Sequence, residues 1–471
     1  MSRPPAAALA DTREQRHASG VRQRDLAPFD AVAAYQPSTD RDPLALLESQ
    51  APTRVPELVP VRYARMATSQ TAFYRGAALV MADDLARAPG SGLRTQLCGD
   101  AHLSNFGLFA TPERRLAFDV NDFDETYPGP FEWDVKRLVA SLVVAGRDNG
   151  FKTKHRRRIA LACCAEYRET VARLAGRGEL EVWYAHIAAT EEMAQVKEVV
   201  DASVRKRVTK AIDKAWGRDS AHALSKLTVT GDDGRPRIVS MPPLVVPVEE
   251  LFSAADAARI HETMMDRLVD YRATLQSDRR YLLDRFDYVH SARKVVGVGS
   301  VGTRCWIILM RGAGGDPLFL QAKEAQPSVL AGYLDGPQYS NQGERVVTGQ
   351  RLMQAASDIF LGWHQGPDID GVTRDFYVRQ LRDGKGSAVI DTMPPEMMTL
   401  YGRLCARVLA QAHARGGDRF ALAGYLGTGT EFDEAMAAFA EDYAEQSARD
   451  HALLRQAIDD GRITASATTD G

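Results

Sequence analysis

A glycine-rich segment, GVGSVG at residues 297–302, constrains the fold of this chain more than any other feature. Its glycines, Gly297, Gly299 and Gly302, have the spacing of a phosphate-binding loop. In a dinucleotide-binding fold a helix would start within this motif. Here TRCWIIL follows, and its β-branched and apolar residues favour a strand. We therefore predict a glycine hairpin that covers phosphates, with a plain hairpin turn as the alternative.

A third predicted strand, FLQAK, ends at Lys323. A lysine at this place can reach the α- and β-phosphates of a nucleotide, and a glutamate of the next helix usually holds it. We predict Glu344 as this partner, because Glu324 is adjacent to Lys323 and should point to the opposite face of the strand. Residues 376–381 are expected to form a hinge against adenine. A surface lysine on an amphipathic strand is the alternative.

Two polar loops, GDAHLSN and FDVNDFDE, lie far upstream of the glycines. Asp100 and Asn105 have the spacing of a kinase catalytic loop, in which the Asp accepts or orients the proton of an attacking hydroxyl and the Asn reaches a divalent metal. We predict Asp122 as the second ligand of Mg²⁺, which prefers oxygen atoms. Asp119 and Asp124 are the alternatives for this role, and an acidic turn that caps the next helix is the structural alternative.

The order of these motifs is the reverse of that in an ordinary kinase, since Asp100 precedes Gly297 by 197 residues. Circular permutation accounts for this order, because a chain tolerates new ends in surface segments. The predicted fold is α+β, a circularly permuted, kinase-like two-lobe fold with a helix-rich large lobe and a small lobe of antiparallel sheet. The predicted parts are a mobile N-terminal arm (1–40), a large-lobe part with the catalytic and metal loops (41–180), a helical connecting region (181–285), the small lobe (286–385), the returning large-lobe helices (386–462) and a mobile tail (463–471).

Composition excludes several classes of protein. Among the 471 residues, 59 Lys and Arg against 62 Asp and Glu give a net charge of −3, which does not favour a dedicated nucleic-acid binder. Five cysteines without a CxxC motif predict reduced, mostly buried thiols in a cytoplasmic protein and disfavour a zinc site. No apolar run is long enough for a membrane span. The basic stretch VRKRVTKAIDKAWGR is expected to be a solvated helix face, with a phosphate-binding or docking face as the alternative.

Several motifs together carry a family resemblance: GDAHLSNFG, FDVNDFDE, PFEWDVKRLVAS, VVGVGSVGTRCW, LQAKEAQPSVL, GERVVTGQRLMQ and AHARGGD. Over roughly residues 40–460 the chain resembles the bacterial domain-of-unknown-function family 2252. The first loop also resembles that of aminoglycoside and choline kinases, whose G-D-x-H-x-x-N motif maps onto Gly99, Asp100, His102 and Asn105. Their metal-binding Asp maps onto Asp122. The permuted order and the additional helical region depart from those kinases.

The expected function is an ATP- and Mg²⁺-dependent phosphotransferase that acts on a hydroxyl of a small molecule or, alternatively, of a protein. A variant of this hypothesis binds ATP inverted and transfers AMP. A non-catalytic nucleotide-binding regulator is a second alternative. A metal-dependent phosphoesterase is a third, with the D-x-H pair Asp100 and His102 and added ligands from Asp119, Asn121 and Asp122, but it lacks the further histidines that such sites need. His102 is expected to orient its loop rather than to bind a metal.

Overall fold

The computed structural model describes residues 11–188, 209, 217, 220–231, 234–295, 297, 299, 301–368, 370–381, 384 and 386–466. In this part the chain is a mixed α+β structure in which the paired strands are antiparallel, and this confirms the predicted fold class at that level. All five cysteines are buried and unpaired, as predicted. None of the described helices combines the length and apolar character needed to cross a membrane.

Helices dominate the described chain. They are α1 (Arg13–Leu26), α2 (Phe29–Ala33), α3 (Pro43–Ser49), α4 (Val59–Ala67), α5 (Gln70–Gly76), α6 (Ala78–Ala86), α7 (Phe131–Asp148), α8 (Thr153–Ala175), α9 (Glu179–Tyr184), α10 (Ser220–Leu227), α11 (Val248–Leu251), α12 (Ala254–Ala273), α13 (Ser277–Leu283), α14 (Gln342–Met353), α15 (Pro395–Gly416), α16 (Arg419–Leu426) and α17 (Glu431–Asp459).

The strands of the described residues form four antiparallel sheets. They are β1 (Arg94–Leu97), β2 (Phe106–Ala110), β3 (Leu116–Val120), β4 (Tyr127–Pro130), β5 (Ile187–Ala188), β6 (Thr228–Thr230), β7 (Pro236–Ile238), β8 (Val245–Pro247), β9 (Phe286–Lys294), β10 (Cys305–Gly312), β11 (Pro317–Glu324), β12 (Gly362–Pro367), β13 (Thr373–Gln380) and β14 (Gly386–Ser387). The largest sheet has the order β12-β13-β11-β10-β9-β8, and a four-stranded sheet has the order β14-β2-β3-β5. β1 pairs with β4, and β6 pairs with β7.

Helix α7 is the centre of the helical part. Nearly every residue along it is buried, including Glu132, Asp134, Lys136 and Arg137 near its start. A helix that is buried all round lies inside a domain rather than on its surface, and α8, α15 and α17 pack around it. The charged groups at the start of α7 must therefore find partners within the fold.

The six-stranded sheet is joined to the helical part by α14. This helix follows β11 in the chain, packs against β12 and β13, and contacts α15 and β1 on its other side. In the sheet, Lys323 of β11 lies between Cys305 of β10 and Tyr377 of β13. The sheet thus places Lys323 on a central strand, next to the helix that links the two parts.

The stretch that composition predicts as an N-terminal arm contains helices in its described part. The side chain of Thr12 caps α1, and α2 contributes Phe29 to the core. Helix α1 packs against α16 through small residues: a Cβ added to Gly20 would lie 1.9 Å from the Ala421 oxygen, and one added to Gly424 would lie 2.0 Å from the His17 oxygen. Because this contact uses glycines rather than an apolar stripe, periodicity gives no sign of it. Residues 1–10 lie outside the described part.

Two further predicted parts are only partly described. The connecting region is not purely helical, since β6, β7 and β8 occur within it and β8 extends the large sheet. Its basic stretch lies outside the described residues apart from positions 209 and 217. At the C-terminal tail, Ile463 is buried and packs with α3 to α6 residues, while residues 467–471 lie outside the described part.

Candidate functional site

A cavity of about 910 Å³ brings the two polar loops together with the glycine-rich segment and the large sheet. Six of the predicted site residues line this cavity: Asp100, Asn105, Asp122, Gly297, Gly299 and Lys323. Two predicted residues, Gly302 and Glu344, are not among its lining residues. His102 and Asp124 also line it. Residues almost 200 positions apart in the chain therefore share one site.

The turn before Asp100 depends on a glycine. Gly99 has a φ of +82°, and a Cβ at this position would lie 2.1 Å from the backbone oxygen of Glu125. The Asp134 carboxylate accepts hydrogen bonds from the backbone N–H groups of Cys98 (2.8 Å) and Gly99 (3.0 Å). The start of helix α7 thus fixes the backbone that presents Asp100.

A buried chain of side chains supports Asp134 in turn. His413 Nε2 lies 3.2 Å from the Asp134 carboxylate, and His413 Nδ1 lies 2.7 Å from the Tyr167 hydroxyl. His413 is fully buried and Asp134 nearly so. The sequence contains these residues within recognisable motifs, but no local pattern links α7, α8 and α15. The Trp-Asp start of α7 is the one signal that could have indicated Asp134.

The Asp100 carboxylate has one protein partner on each side. Its Oδ1 accepts a hydrogen bond from Arg137 Nε (2.8 Å), and its Oδ2 lies 3.6 Å from His102 Nε2. His102 Nδ1 accepts from the backbone of Ser104 (3.2 Å). Burial lowers the pKa of His102 to about 3, and the charges of Arg75 and Arg137 act in the same direction. His102 is therefore neutral near pH 7 and contacts its own loop.

Asn105 is oriented by the same loop. Its Nδ2 donates to the backbone oxygen of Asp100 (2.8 Å), and its own backbone oxygen accepts from Asn121 (2.8 Å). Because the amide nitrogen is used in the first bond, the Oδ1 oxygen is the atom that Asn105 can offer to a cation. The second bond connects the loop of Asp100 and Asn105 to the acidic loop.

The two acidic residues of the second loop differ in their partners. The Asp124 carboxylate accepts hydrogen bonds from Lys323 (2.6 Å) and the Tyr377 hydroxyl (2.6 Å), whereas Asp122 lies 3.9 Å from Lys323. Burial opposes the ionisation of Asp124, but Lys323 and Tyr377 lower its pKa to about 2. Burial and the charge of Asp124 raise the pKa of Asp122. An added cation would therefore stabilise the ionised form of Asp122 more than that of Asp124, which Lys323 already neutralises.

Asp119, the alternative to Asp122, lies outside the cavity. It is on β3, where its Oδ1 accepts from the backbone of Val120 (2.8 Å). Burial raises the pKa of Asp119 to about 6, although the charge of Arg415 opposes this rise. The cavity is thus lined by Asp122 and Asp124, but not by Asp119.

Lys323 is paired with Asp124 instead of the predicted Glu344. Successive residues of a helix are rotated by about 100°, and on α14 the inward position belongs to Arg345. Its guanidinium donates to three backbone oxygens, those of Asp124 (2.7 Å), Thr126 (2.7 Å) and Gln326 (2.9 Å). Glu324 accepts from the backbone of Arg304 (3.0 Å), and its carboxylate lies 3.5 Å from the Arg304 guanidinium.

The glycine-rich segment connects β9 to β10, which are antiparallel neighbours as predicted. Gly302 has a φ of +90°, and its oxygen accepts from the backbone of Val55 (2.8 Å). The Gly299 oxygen accepts from Arg54 (3.2 Å). Val298 and Ser300 lie outside the described residues. The segment before α4 therefore holds the glycines against the cavity.

The predicted hinge has a different structure. Residues 376–380 belong to β13, between β11 and β12, and Phe376 and Tyr377 are buried. Phe376, Tyr377 and Val378 are buried in succession, and the strand ends only at Gln380. No group of three or more His, Cys, Asp or Glu side chains in the described residues is arranged to hold a metal, which a two-metal phosphoesterase would require.

Comparison with known proteins gives one match. A family model described as "Uncharacterized protein conserved in bacteria (DUF2252)" matches residues 54–457. The match spans both polar loops, the glycine-rich segment and Lys323. Neither the curated proteins nor the solved structures contain a match to the chain. The family description gives no chemistry, so the function has to be argued from the site.

Proposed function

Since the chain belongs to this DUF2252 family of uncharacterized bacterial proteins, we propose its function from the cavity: an ATP- and Mg²⁺-dependent phosphotransferase that acts on a hydroxyl of a small molecule. One observation carries the proposal. Asp100, Asn105, Asp122 and Lys323 line the same cavity, and these residue types provide the base, the metal ligands and the phosphate contact that phosphoryl transfer uses.

We further propose that the fold is a circularly permuted, kinase-like arrangement. Lys323 lies on the third long strand of the sheet and is followed by helix α14 before β12 and β13, the position that kinases give to their phosphate-binding lysine and the next helix. The end of α15 lies beside β1, where the Thr95 hydroxyl donates to the His413 oxygen (3.1 Å). In an unpermuted chain α15 would lead directly into the catalytic loop. This support is an analogy of fold and not of chemistry.

In the proposed reaction Asp122 and Asn105 would hold Mg²⁺, which would supply positive charge to the phosphates. Asp100 orients the acceptor hydroxyl and takes its proton. The hydroxyl oxygen forms a bond to the terminal phosphorus as the bond from that phosphorus to the bridging oxygen breaks. The electron pair of the broken bond stays on ADP. Lys323 moves its charge from Asp124 toward the phosphates when the nucleotide enters.

Thermal melting with and without Mg²⁺-ATP tests nucleotide binding, because a ligand that binds only the native state raises the melting temperature. Asp122→Asn should abolish the rise, while Asp119→Asn, on the same chain segment but outside the cavity, should keep it.

The turnover of ATP tests the chemistry. Asp100→Asn should still bind Mg²⁺-ATP but should turn over ATP about 10²- to 10⁴-fold more slowly than wild type. Turnover at the wild-type rate in Asp100→Asn would refute the mechanism. ATP labelled at the γ- or the α-phosphate distinguishes transfer of phosphate from transfer of AMP.

One contact favours the non-catalytic alternative. Arg137 Nε donates to Asp100 Oδ1 (2.8 Å) from a buried position, so one of the two oxygens that could take the acceptor's proton already has a partner. A nucleotide-binding regulator would show the melting-temperature rise without ATP turnover in any variant. Arg137→Gln separates the two functions, since it should raise turnover only if Asp100 accepts a proton.

A further inference from the structure

Six arginines line the cavity, and three of them, Arg54, Arg62 and Arg75, belong to the part of the chain that precedes α6. Arg54 donates to the backbone oxygens of Gly299 (3.2 Å) and Val301 (2.5 Å), and so it holds the glycine-rich segment. Arg62 donates to the side-chain oxygen of Gln50 (2.8 Å) and to the backbone oxygen of Gly76 (3.0 Å). Both guanidinium groups therefore have structural partners.

Arg75, near the end of α5, differs from these two. The Nε of each of the three arginines is buried without a hydrogen-bond partner, but no other guanidinium nitrogen of Arg75 donates a hydrogen bond within the described residues, and no ion pair found among them includes it. Burial lowers the pKa of Arg75, and the charges of Asp100, Asp391 and Asp122 oppose this effect without forming an ion pair with it. Arg75 is half-buried and lines the cavity, so an anionic ligand bound there would supply the partner that its charge lacks within the described residues.

The position of Arg75 indicates which anion this is. A Cβ added to Gly297 would lie 3.7 Å from Arg75 Nη2, and one added to Gly299 would lie 3.1 Å from the Arg75 oxygen, so this residue lies directly against the glycine-rich segment. Asp100 and Asp122 line the same cavity as Arg75, and their charges act on its guanidinium. The space among the glycines, the base and the metal ligand is where the transferring phosphate belongs in phosphoryl transfer.

We propose that Arg75 binds the terminal phosphate of the nucleoside triphosphate and so makes the site select triphosphate over diphosphate. This inference rests on the proposed function, of which it specifies one contact. The planar guanidinium fork can donate to two phosphate oxygens at once, which lysine cannot do. Arg75 would also stay in contact with the charge on the phosphoryl group during its transfer.

The test compares affinities for ATP and ADP in excess Mg²⁺, measured by calorimetric titration. Wild type should bind ATP at least about tenfold more tightly than ADP, since hydrogen bonds to charged groups are worth about that factor or more. Arg75→Met should lose about 10- to 100-fold in ATP affinity and keep its ADP affinity. Arg75→Lys should retain part of the preference. Arg455→Ala, an exposed arginine of α17 that does not line the cavity, is the matched control and should behave as wild type.

The melting temperature without nucleotide separates this role from a structural one. Arg75→Met should melt at or above the wild-type temperature, because the substitution removes a half-buried cation that forms no ion pair within the described residues. A marked fall would overturn the inference, and so would an ATP preference that survives in Arg75→Met or an equal loss of ATP and ADP affinity. Wild-type protein that binds neither nucleotide would instead refute the proposed function, and the role of Arg75 with it.

Discussion

The buried charge cluster around Arg41 gives the sharpest test of how the helical part is held together. Arg41 donates to Asp84 of α6 (2.6 and 2.9 Å) and to Asp450 of α17 (2.7 and 2.6 Å). The three side chains are at most 4% exposed. Tyr443 also donates to Asp84 (2.9 Å). The guanidinium thus neutralises two carboxylates that belong to different helices.

Arg41→Met leaves these two carboxylates facing each other. One oxygen of Asp84 and one of Asp450 contact the same nitrogen, so they lie no more than about 5.5 Å apart, and at an effective dielectric constant of about 20 they repel by roughly 3 kcal/mol. Removal of one partner from a buried ion pair typically costs about 3–5 kcal/mol. We therefore expect Arg41→Met to lower the free energy of unfolding by about 3–5 kcal/mol at pH 8.

The cost should depend on pH. Burial already raises the pKa of Asp84, although Arg41 opposes this rise, and without Arg41 the rise is larger. A carboxyl whose folded pKa lies above its unfolded pKa stabilises the fold increasingly as the pH falls through the folded value. The deficit of Arg41→Met relative to wild type, measured by urea denaturation, should therefore be smaller at pH 5 than at pH 8.

A neutral version of the cluster is the control. Combining Arg41→Met with Asp84→Asn and Asp450→Asn removes the charges together, and replacing a whole buried ion cluster is often close to neutral. The triple variant should be more stable than Arg41→Met and should show little of its pH dependence. An equal deficit of Arg41→Met at both pH values, or a triple variant no better than the single one, would refute this explanation.

Three shorter predictions follow from the same structure. Gly99→Ala strains a left-handed position by about 1–2 kcal/mol and displaces the turn before Asp100, so the melting-temperature rise with Mg²⁺-ATP should be lost. Tyr377→Phe removes a hydrogen bond that, together with the larger effect of Lys323, lowers the pKa of Asp124; the cost in unfolding free energy, about 1.5–3 kcal/mol, should be complete at pH 7 and smaller at pH 3 in urea denaturation. Gly424→Leu should push α1 off α16, and limited proteolysis should then cut within the first 30 residues faster than in wild type.

The parts of the site that depend on local sequence could be predicted. Strand periodicity and turn glycines place the glycine-rich segment between antiparallel strands and Lys323 at the end of β11. The Asp-to-Asn spacing indicates one loop, and both residues line the cavity. In these cases each signal lies within a few residues of the feature that it predicts.

The parts that depend on tertiary contacts could not be predicted. Which residue of α14 faces the acidic loop is decided by how the helix is rotated on the sheet, and this rotation brings in Arg345 instead of Glu344. The contact between His413 and Asp134 joins residues 279 positions apart. Helix α1 is polar and packs through Gly20, so it lacks the apolar stripe by which a packed helix is recognised.

The contact between Asp134 and His413 also has a consequence for biosynthesis. A ribosome adds about 5–20 residues per second, so α7 is made on the order of 15 to 55 s before the histidine that completes its start. Almost all of α7 is buried in the finished fold. During this interval α15 and α17, which pack against it, have not been synthesised in full, so part of its apolar surface is exposed. A nascent chain in this state is prone to aggregate. A chain that stops before Pro395 would contain both polar loops, yet it should be recovered as aggregate.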